Sequence, residues 1–334
     1  MIITSLVNLA LSVLTLSLWR FWGRTRVRRL LWRGVEAWGD PVDYVGTGKE
    51  LFIGFLVVLA LVYMPLAALY GWANLMLSHD DPRGGLLIGG LYLVTVFLIH
   101  AGLYRARRYQ LSRTVWRGIR GGQGGLAWRY GLMAVAIWLL FPLTLGWIWP
   151  WGEMALARYK LRHTRFGDRA FSCEATAGGL YRRFAVAWLC GAGCGAMVVL
   201  GALSMTAAWA SGVDMRAMLV ALSVVSLLIM VLPWAWYRAG FYRRLAAGTG
   251  YVGASFAVDI RTWGVLRLYF GNLVITVFSL GVLRPWAALR LFRYACAVIS
   301  VSGEPDFAAI AQNSDARPGS GEGLISVLDG AGEF

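Results

Sequence analysis

Seven stretches of this chain are almost free of charged side chains, and that feature decides most of what it can fold into. They are 2–19, 51–72, 86–104, 130–149, 184–210, 217–236 and 268–283, with His100 and Arg267 only at their margins. A hydrocarbon core of roughly 30 Å asks about 20 apolar residues of a crossing helix, and most of the runs are near that length. Backbone at that depth must satisfy its own hydrogen bonds, which leaves helices or closed barrels. Barrel strands would alternate apolar and polar residues; these runs do not. Charged residues make up 15% of the chain, against about 25% in a soluble protein. The expected fold is an all-α polytopic membrane bundle.

The charge that remains is placed unevenly. Most of the 32 basic residues lie in 20–49, 105–129, 158–183 and 238–267, and the net charge is +15. The connections 73–85 and 211–216 hold one arginine each, together with Asp80, Asp81 and Asp214. Positive loops stay in the cytoplasm, so those two connections are expected to face outward. A basic balance can also mean nucleic acid. Here the basic segments adjoin membrane runs and are rich in tryptophan, so anionic lipid headgroups are the expected partner and nucleic acid is not. One conflict follows. Segments 105–129 and 152–183 each carry seven Lys or Arg, yet a single crossing by 130–150 would put them on opposite sides. Either the charge rule is broken there, or Pro142 and Gly146 split 130–150 into two helices that enter and leave from one face. The same choice applies to 268–283.

The chain also repeats itself. Thr15-Leu16-Ser17, Thr144-Leu145-Gly146 and Ser279-Leu280-Gly281 each lie late in an apolar run. Seven residues beyond each Thr or Ser stands Trp22, Trp151 or Trp286, and fourteen beyond stands Arg29, Arg158 or Arg293. Gly39-Asp40-Pro41, Gly167-Asp168-Arg169 and Gly303-Glu304-Pro305 follow at matching distances. Between these units, 51–72 with 86–104 and 184–210 with 217–236 read as transmembrane hairpins, each ending in Tyr-Arg-Ala (Tyr104, Tyr237). The expected bundle therefore alternates three Thr/Ser-Leu-Gly/Ser units, broken or re-entrant, with two transmembrane hairpins. It forms one domain over 1–301. Residues 302–334, with six acidic residues and a Gly-Ser-rich patch, are expected to be a disordered cytoplasmic tail.

Thr144-Leu145-Gly146 with Pro150-Trp151 and Arg158-Tyr159, Arg113-Thr114-Val115-Trp116-Arg117-Gly118, and Tyr44-Val45-Gly46-Thr47-Gly48-Lys49-Glu50-Leu51 together resemble the YjgN-like bacterial inner-membrane proteins. The resemblance covers roughly residues 1–310 and implies a bacterial inner membrane. It brings no established activity. Two features depart from that pattern: the first unit lacks the short Gly-bearing lead, and the third lacks the aromatic-x-aromatic-x-Gly close.

No zinc-protease, phosphate-loop or dinucleotide motif is present. His79, His100 and His163 lie in three different segments, far from metal-ligand spacing. Cys173, Cys190, Cys194 and Cys296 read as small packing residues. No enzyme and no cofactor is expected. The arginines of the units are the suggestive feature: Arg26 and Arg29, Arg158 and Arg162, and Arg290 and Arg293 fall three or four apart on one helix face. They could bind anionic lipid phosphates, or only set topology and snorkel. Asn8 and Asn272, with Thr15, Thr144 and Ser279, are candidates to line a pathway; the amides could equally hold helices together. Mid-run carboxylates, which proton carriers need, are missing. The expected function is a membrane pathway or lipid-handling protein. The alternative is a non-catalytic scaffold for a membrane partner such as a protease or envelope-assembly enzyme.

Overall fold

The computed structural model describes residues 2–210 and 216–303, together with 305, 307 and 310–312. The outward connection expected at 211–216 therefore lies, except for Arg216, outside the described residues, as does most of the tail after 302.

Among the described residues, four helical segments are long and apolar enough to cross a membrane: Gly48–Ser78, Arg83–Ser112, Gly178–Ser204 and Val220–Ala247. The first comprises α3 (Gly48–Val58), a π-helical turn at Leu59–Tyr63 and α4 (Met64–Ser78). Thr47 caps α3 by accepting from the Glu50 amide at 3.4 Å. The wide turn falls just before Pro65, whose ring would clash with a carbonyl four residues back in a regular helix. Helix α5 (Arg83–Ser112) returns beside α4. The second pair is α8 (Tyr181–Ala210) and α9 (Arg216–Ala247). Side chains of the outer halves, such as Leu61, Leu86, Leu200 and Leu227, are two-thirds or more exposed. Such a surface suits contact with lipid rather than with water.

Three shorter helix pairs accompany the spans: α1 (Ile2–Leu14) with α2 (Arg20–Arg33), α6 (Ala127–Leu143) with α7 (Trp149–Arg162), and α10 (Thr262–Phe278) with α11 (Arg284–Val298). Each pair is joined by a tight turn with two successive positive φ angles, at Leu16–Ser17 (48° and 69°), Leu145–Gly146 (48° and 85°) and Leu280–Gly281 (50° and 83°). Each folds back on itself. The Tyr159 hydroxyl meets the Leu126 backbone at 3.0–3.1 Å, and a Cβ on Gly152 would press on Ile137. In the third pair, Asn272 reaches the Ala287 carbonyl at 3.1 Å.

The expectation of an all-α chain needs one correction, because ten short strands among the described residues gather at the basic end of the helices. Strands β1 (Glu36–Ala37), β2 (Asp40–Tyr44), β3 (Thr114–Trp116), β4 (Ile119–Gln123), β5 (Thr164–Phe166) and β6 (Arg169–Ala170) form one antiparallel sheet in chain order. Strands β7 (Ser172–Cys173), β8 (Thr249–Tyr251), β9 (Ala254–Val258) and β10 (Ile299–Ser302) form a second. Tyr251 joins the two sheets by donating to the Phe166 carbonyl at 2.9 Å. The pairings fix how the helices connect. Gly121 opposes Phe166 and Gln123 opposes Thr164, so the chain leaving β4 through α6 and α7 returns beside its starting point. Val258 likewise opposes Ile299 across α10 and α11.

The core lies near this end, built from Phe21, Leu31 and Tyr109 on one side and from Met154, Leu180, Phe184 and Tyr237 on the other. Contacts also run past Val301 among the described residues. Phe307 packs on Trp38 and Trp116 with ring centroids 5.0 Å apart, and Ile310 is buried. Ala311 exchanges two hydrogen bonds with Asp168, and Gln312 bonds the Gly118 carbonyl and the Arg120 amide. Aromatic and backbone partners on the sheet hold these residues despite the polar composition around them.

Candidate functional site

The six arginines singled out from the sequence lie on the second helix of each short pair, in the turns running towards the sheets. Arg26 stacks over Trp19 at 5.7 Å, and Arg29 donates to the Gly46 carbonyl at 2.8 Å. Arg162 donates to the Cys173 carbonyl at 2.7 Å, and Arg290 lies 5.6 Å from the Trp286 ring centre. Arg158 and Arg293 make no such contact among the described residues. None of the six forms an ion pair with a described carboxylate; the pairs seen are Arg33–Asp43, Arg113–Glu50, Arg117–Asp40, Arg169–Asp168 and Arg238–Glu153. The six do not converge on one point. Helices α2 and α11 adjoin, with Trp32 stacked on Phe292 at 5.6 Å, whereas α7 packs against α9.

The five polar residues considered as pathway lining are engaged within their own helix pairs. Thr15 accepts from the Trp19 amide at 2.9 Å, Thr144 from the Ile148 amide at 3.2 Å, and Ser279 from the Leu283 amide at 3.1 Å. Each hydroxyl thus closes the turn that reverses the chain. Asn8 accepts from the Trp19 indole at 3.2 Å, and Asn272 ties α10 to α11 while its Oδ1 stays buried without a partner. A cavity of about 510 Å³ beside the third turn is lined by Leu9, Thr276, Val277, Leu280, Gly281, Val282 and Arg284, and by none of the five.

Two carboxylates organise the junction of helices and sheets, and neither was among the candidate residues read from the sequence. Glu50 accepts from the Tyr109 hydroxyl and from Arg113 at 3.0 Å, fastening α3 to α5. Glu153 accepts from the Tyr237 hydroxyl at 2.8 Å and from Arg238, fastening α7 to α9. Arg238 donates further to the Tyr242 hydroxyl at 2.6 Å. Charges in such half-buried places persist only when paired and hydrogen-bonded. The signal available in the sequence was a lone acid at the border of a basic, apolar-flanked segment. Nearby, Tyr104, Tyr130, Tyr159 and His163 form a ring cluster over Gly125, with the Tyr104 hydroxyl on the Gly124 carbonyl at 2.7 Å. Among the described residues, no group of three His, Cys, Asp or Glu is arranged to hold a metal.

Comparison with known proteins gives a family without an activity. The chain is similar to the inner membrane protein YjgN of Salmonella typhimurium strain LT2, with 27% identity over 118 residues, which is 35% of this chain and 27% of that protein. The match therefore spans about a quarter of the relative's length. No solved structure matches. The model of a bacterial protein family of unknown function, DUF898, matches residues 3–327. The resemblance carried by the unit motifs holds, and the chain belongs to the DUF898 family.

Proposed function

We propose that this chain is a multi-pass protein of the bacterial inner membrane that handles anionic lipid at a basic, cytoplasmic end, without catalysing a reaction. The observation that carries the reading is that Arg26, Arg29, Arg158, Arg162, Arg290 and Arg293, on α2, α7 and α11, have no carboxylate partner among the described residues and lie where the apolar spans give way to the sheets. Guanidinium groups left in that position, beside tryptophan rings, suit lipid phosphates. The three short pairs are read as copies of one unit that dips into the bilayer and leaves on the side it entered. The β4–β5 and β9–β10 pairings support this, as do the matching turn angles. On that reading segments 105–129 and 152–183 share the cytoplasm and the positive-inside rule holds.

Lipid handling is preferred to a transmembrane pathway because Asn8, Thr15, Thr144, Asn272 and Ser279 spend polar groups inside their own units. The same fact favours the alternative, a scaffold for a membrane partner. Native mass spectrometry of the full chain, gently extracted from its own membrane, separates them. Co-purifying anionic lipid that is lost when Arg29, Arg158 and Arg293 become alanine supports lipid handling. A stoichiometric protein partner without selective lipid replaces it with the scaffold.

A further inference from the structure

Two arginine dyads, Arg182-Arg183 and Arg243-Arg244, lie 61 residues apart in the sequence. The antiparallel packing of α8 and α9 brings them together at the sheet end of both spans. They line a cavity of about 450 Å³ whose remaining walls are Gly179 and Gly240. The glycines make the room: a Cβ on Gly179 would strike the Arg244 guanidinium, and one on Gly240 would meet Arg183 at 2.6 Å. Arg183 is fixed by its bond to the Trp236 carbonyl at 3.2 Å and by stacking over the Trp236 ring at 5.1 Å. Arg243 leans on the Ala239 carbonyl at 3.2 Å. Arg182 and Arg244 are exposed and make no hydrogen bond or ion pair among the described residues. No described carboxylate pairs with any of the four.

We infer that this cavity is a receptor for a phosphate monoester, held by the four guanidinium groups between α8 and α9, and that its occupant is an anionic lipid headgroup. Four uncompensated positive charges around one small space repel one another and call for a multiply charged anion. A phosphate monoester carries close to two negative charges near neutral pH and offers three acceptor oxygens, more than a phosphodiester does. The surroundings select the lipid form. On α8, Val186 and Leu189 stand four and seven residues beyond Arg182, on the same helix face, and both are exposed. On α9, Trp236 and exposed Leu232 stand seven and eleven residues before Arg243, also on one helix face. Acyl chains rising from a phosphate in the cavity would lie along these side chains. This inference rests on the anionic-lipid reading of the basic end and gives it a headgroup and an address.

The test uses the full chain in detergent, titrated with phosphatidate, phosphatidylglycerol and glycerol 3-phosphate and read by native mass spectrometry. Phosphatidate is expected to bind one to one, about tenfold or more tighter than phosphatidylglycerol, through the extra charge-assisted contacts. In a variant carrying Arg182→Gln and Arg244→Gln, phosphatidate affinity should fall by about tenfold or more. Neither side chain holds the fold together, so an unchanged melting temperature is expected. The triple variant Arg29→Ala, Arg158→Ala, Arg293→Ala should lose the anionic lipid bound at α2, α7 and α11 but keep the one-to-one phosphatidate complex. If that triple variant alone loses phosphatidate, the broader reading survives and this site falls. If no variant loses it, both fall. Displacement of phosphatidate by equimolar glycerol 3-phosphate would overturn the lipid assignment and leave a soluble phosphate ester as the occupant.

Discussion

At Glu153 a single carboxylate on α7 serves two neighbours on α9, and its removal leaves both of them worse off. Its side chain is 18% exposed and that of Arg238 is 25% exposed. Glu153→Ala strands a guanidinium and the fully buried Tyr237 hydroxyl, and breaking one side of such a pair costs about 3 kcal/mol or more. The expected result is a clear drop in melting temperature in detergent, against no change for exposed Glu174→Ala. Glu50→Ala should cost less, because the Glu50 side chain is 32% exposed and water can reach the gap. Tyr251 gives a pH-dependent counterpart. Burial, and then the Asp168 charge, push its phenol up to about 12. The neutral phenol is the form the fold prefers, so its contribution is complete below the unfolded value near 10 and is lost as pH rises from about 10 towards 12. Thermal melts across that window should show a steeper alkaline loss than in Tyr251→Phe, which cannot ionise. The sequence made the apolar runs legible but not these partners. Arg182-Arg183 and Arg243-Arg244 were visible as dyads, yet only the packing of α8 on α9 shows that they share one cavity.

Elements of three to five residues were the part that pattern reading could not find. Strands such as Thr114–Trp116 and Ile119–Gln123 are too short to show alternation, and an arginine and two glycines interrupt the second. Their turns are also disguised. Trp38-Gly39, Arg117-Gly118 and Val252-Gly253 take positive φ at both residues, the geometry for which Asn-Gly or Asp-Gly is the usual signature. A Trp or Val in that region is strained and rarely expected there. The short helix pairs were better signposted, since the Thr/Ser-Leu-Gly/Ser motif marks each turn and its hydroxyl closes it. The conformation also sets a cost. Gly146 has φ of 85°, so Gly146→Val should lower stability by about 1–2 kcal/mol, seen as an earlier melt. Topology can be checked on the same elements. Single cysteines replacing Arg120 and Arg165 should react with an impermeant maleimide from the same side of sealed vesicles. Opposite labelling would mean that α6 and α7 do not form a re-entrant pair.

Across the whole molecule, contacts from Phe307 to Gln312 bridge parts of the sheet that come from far apart in the chain. Phe307 lies between Trp38 and Trp116, Ala311 holds Asp168, and the Arg120 amide donates to Gln312 at 3.0 Å. Ending the chain at Gly303 should therefore speed hydrogen exchange at Arg120 and Asp168 while leaving the Leu91 and Val96 region of α5 protected. Each strand of the six-stranded sheet pairs with the strand that follows it in the chain. A ribosome feeding this protein into the bilayer thus releases every strand next to one already waiting, and the sheet can lengthen as fast as translation proceeds. Strand β2 must hold its place until α3, α4 and α5 have been inserted and β3 emerges, and β7 likewise until α8 and α9 have been inserted and β8 emerges. Phe307 and Gln312 arrive after all of these and close on the earliest strands, so their docking registers that synthesis has reached the last strand with every preceding hairpin in place.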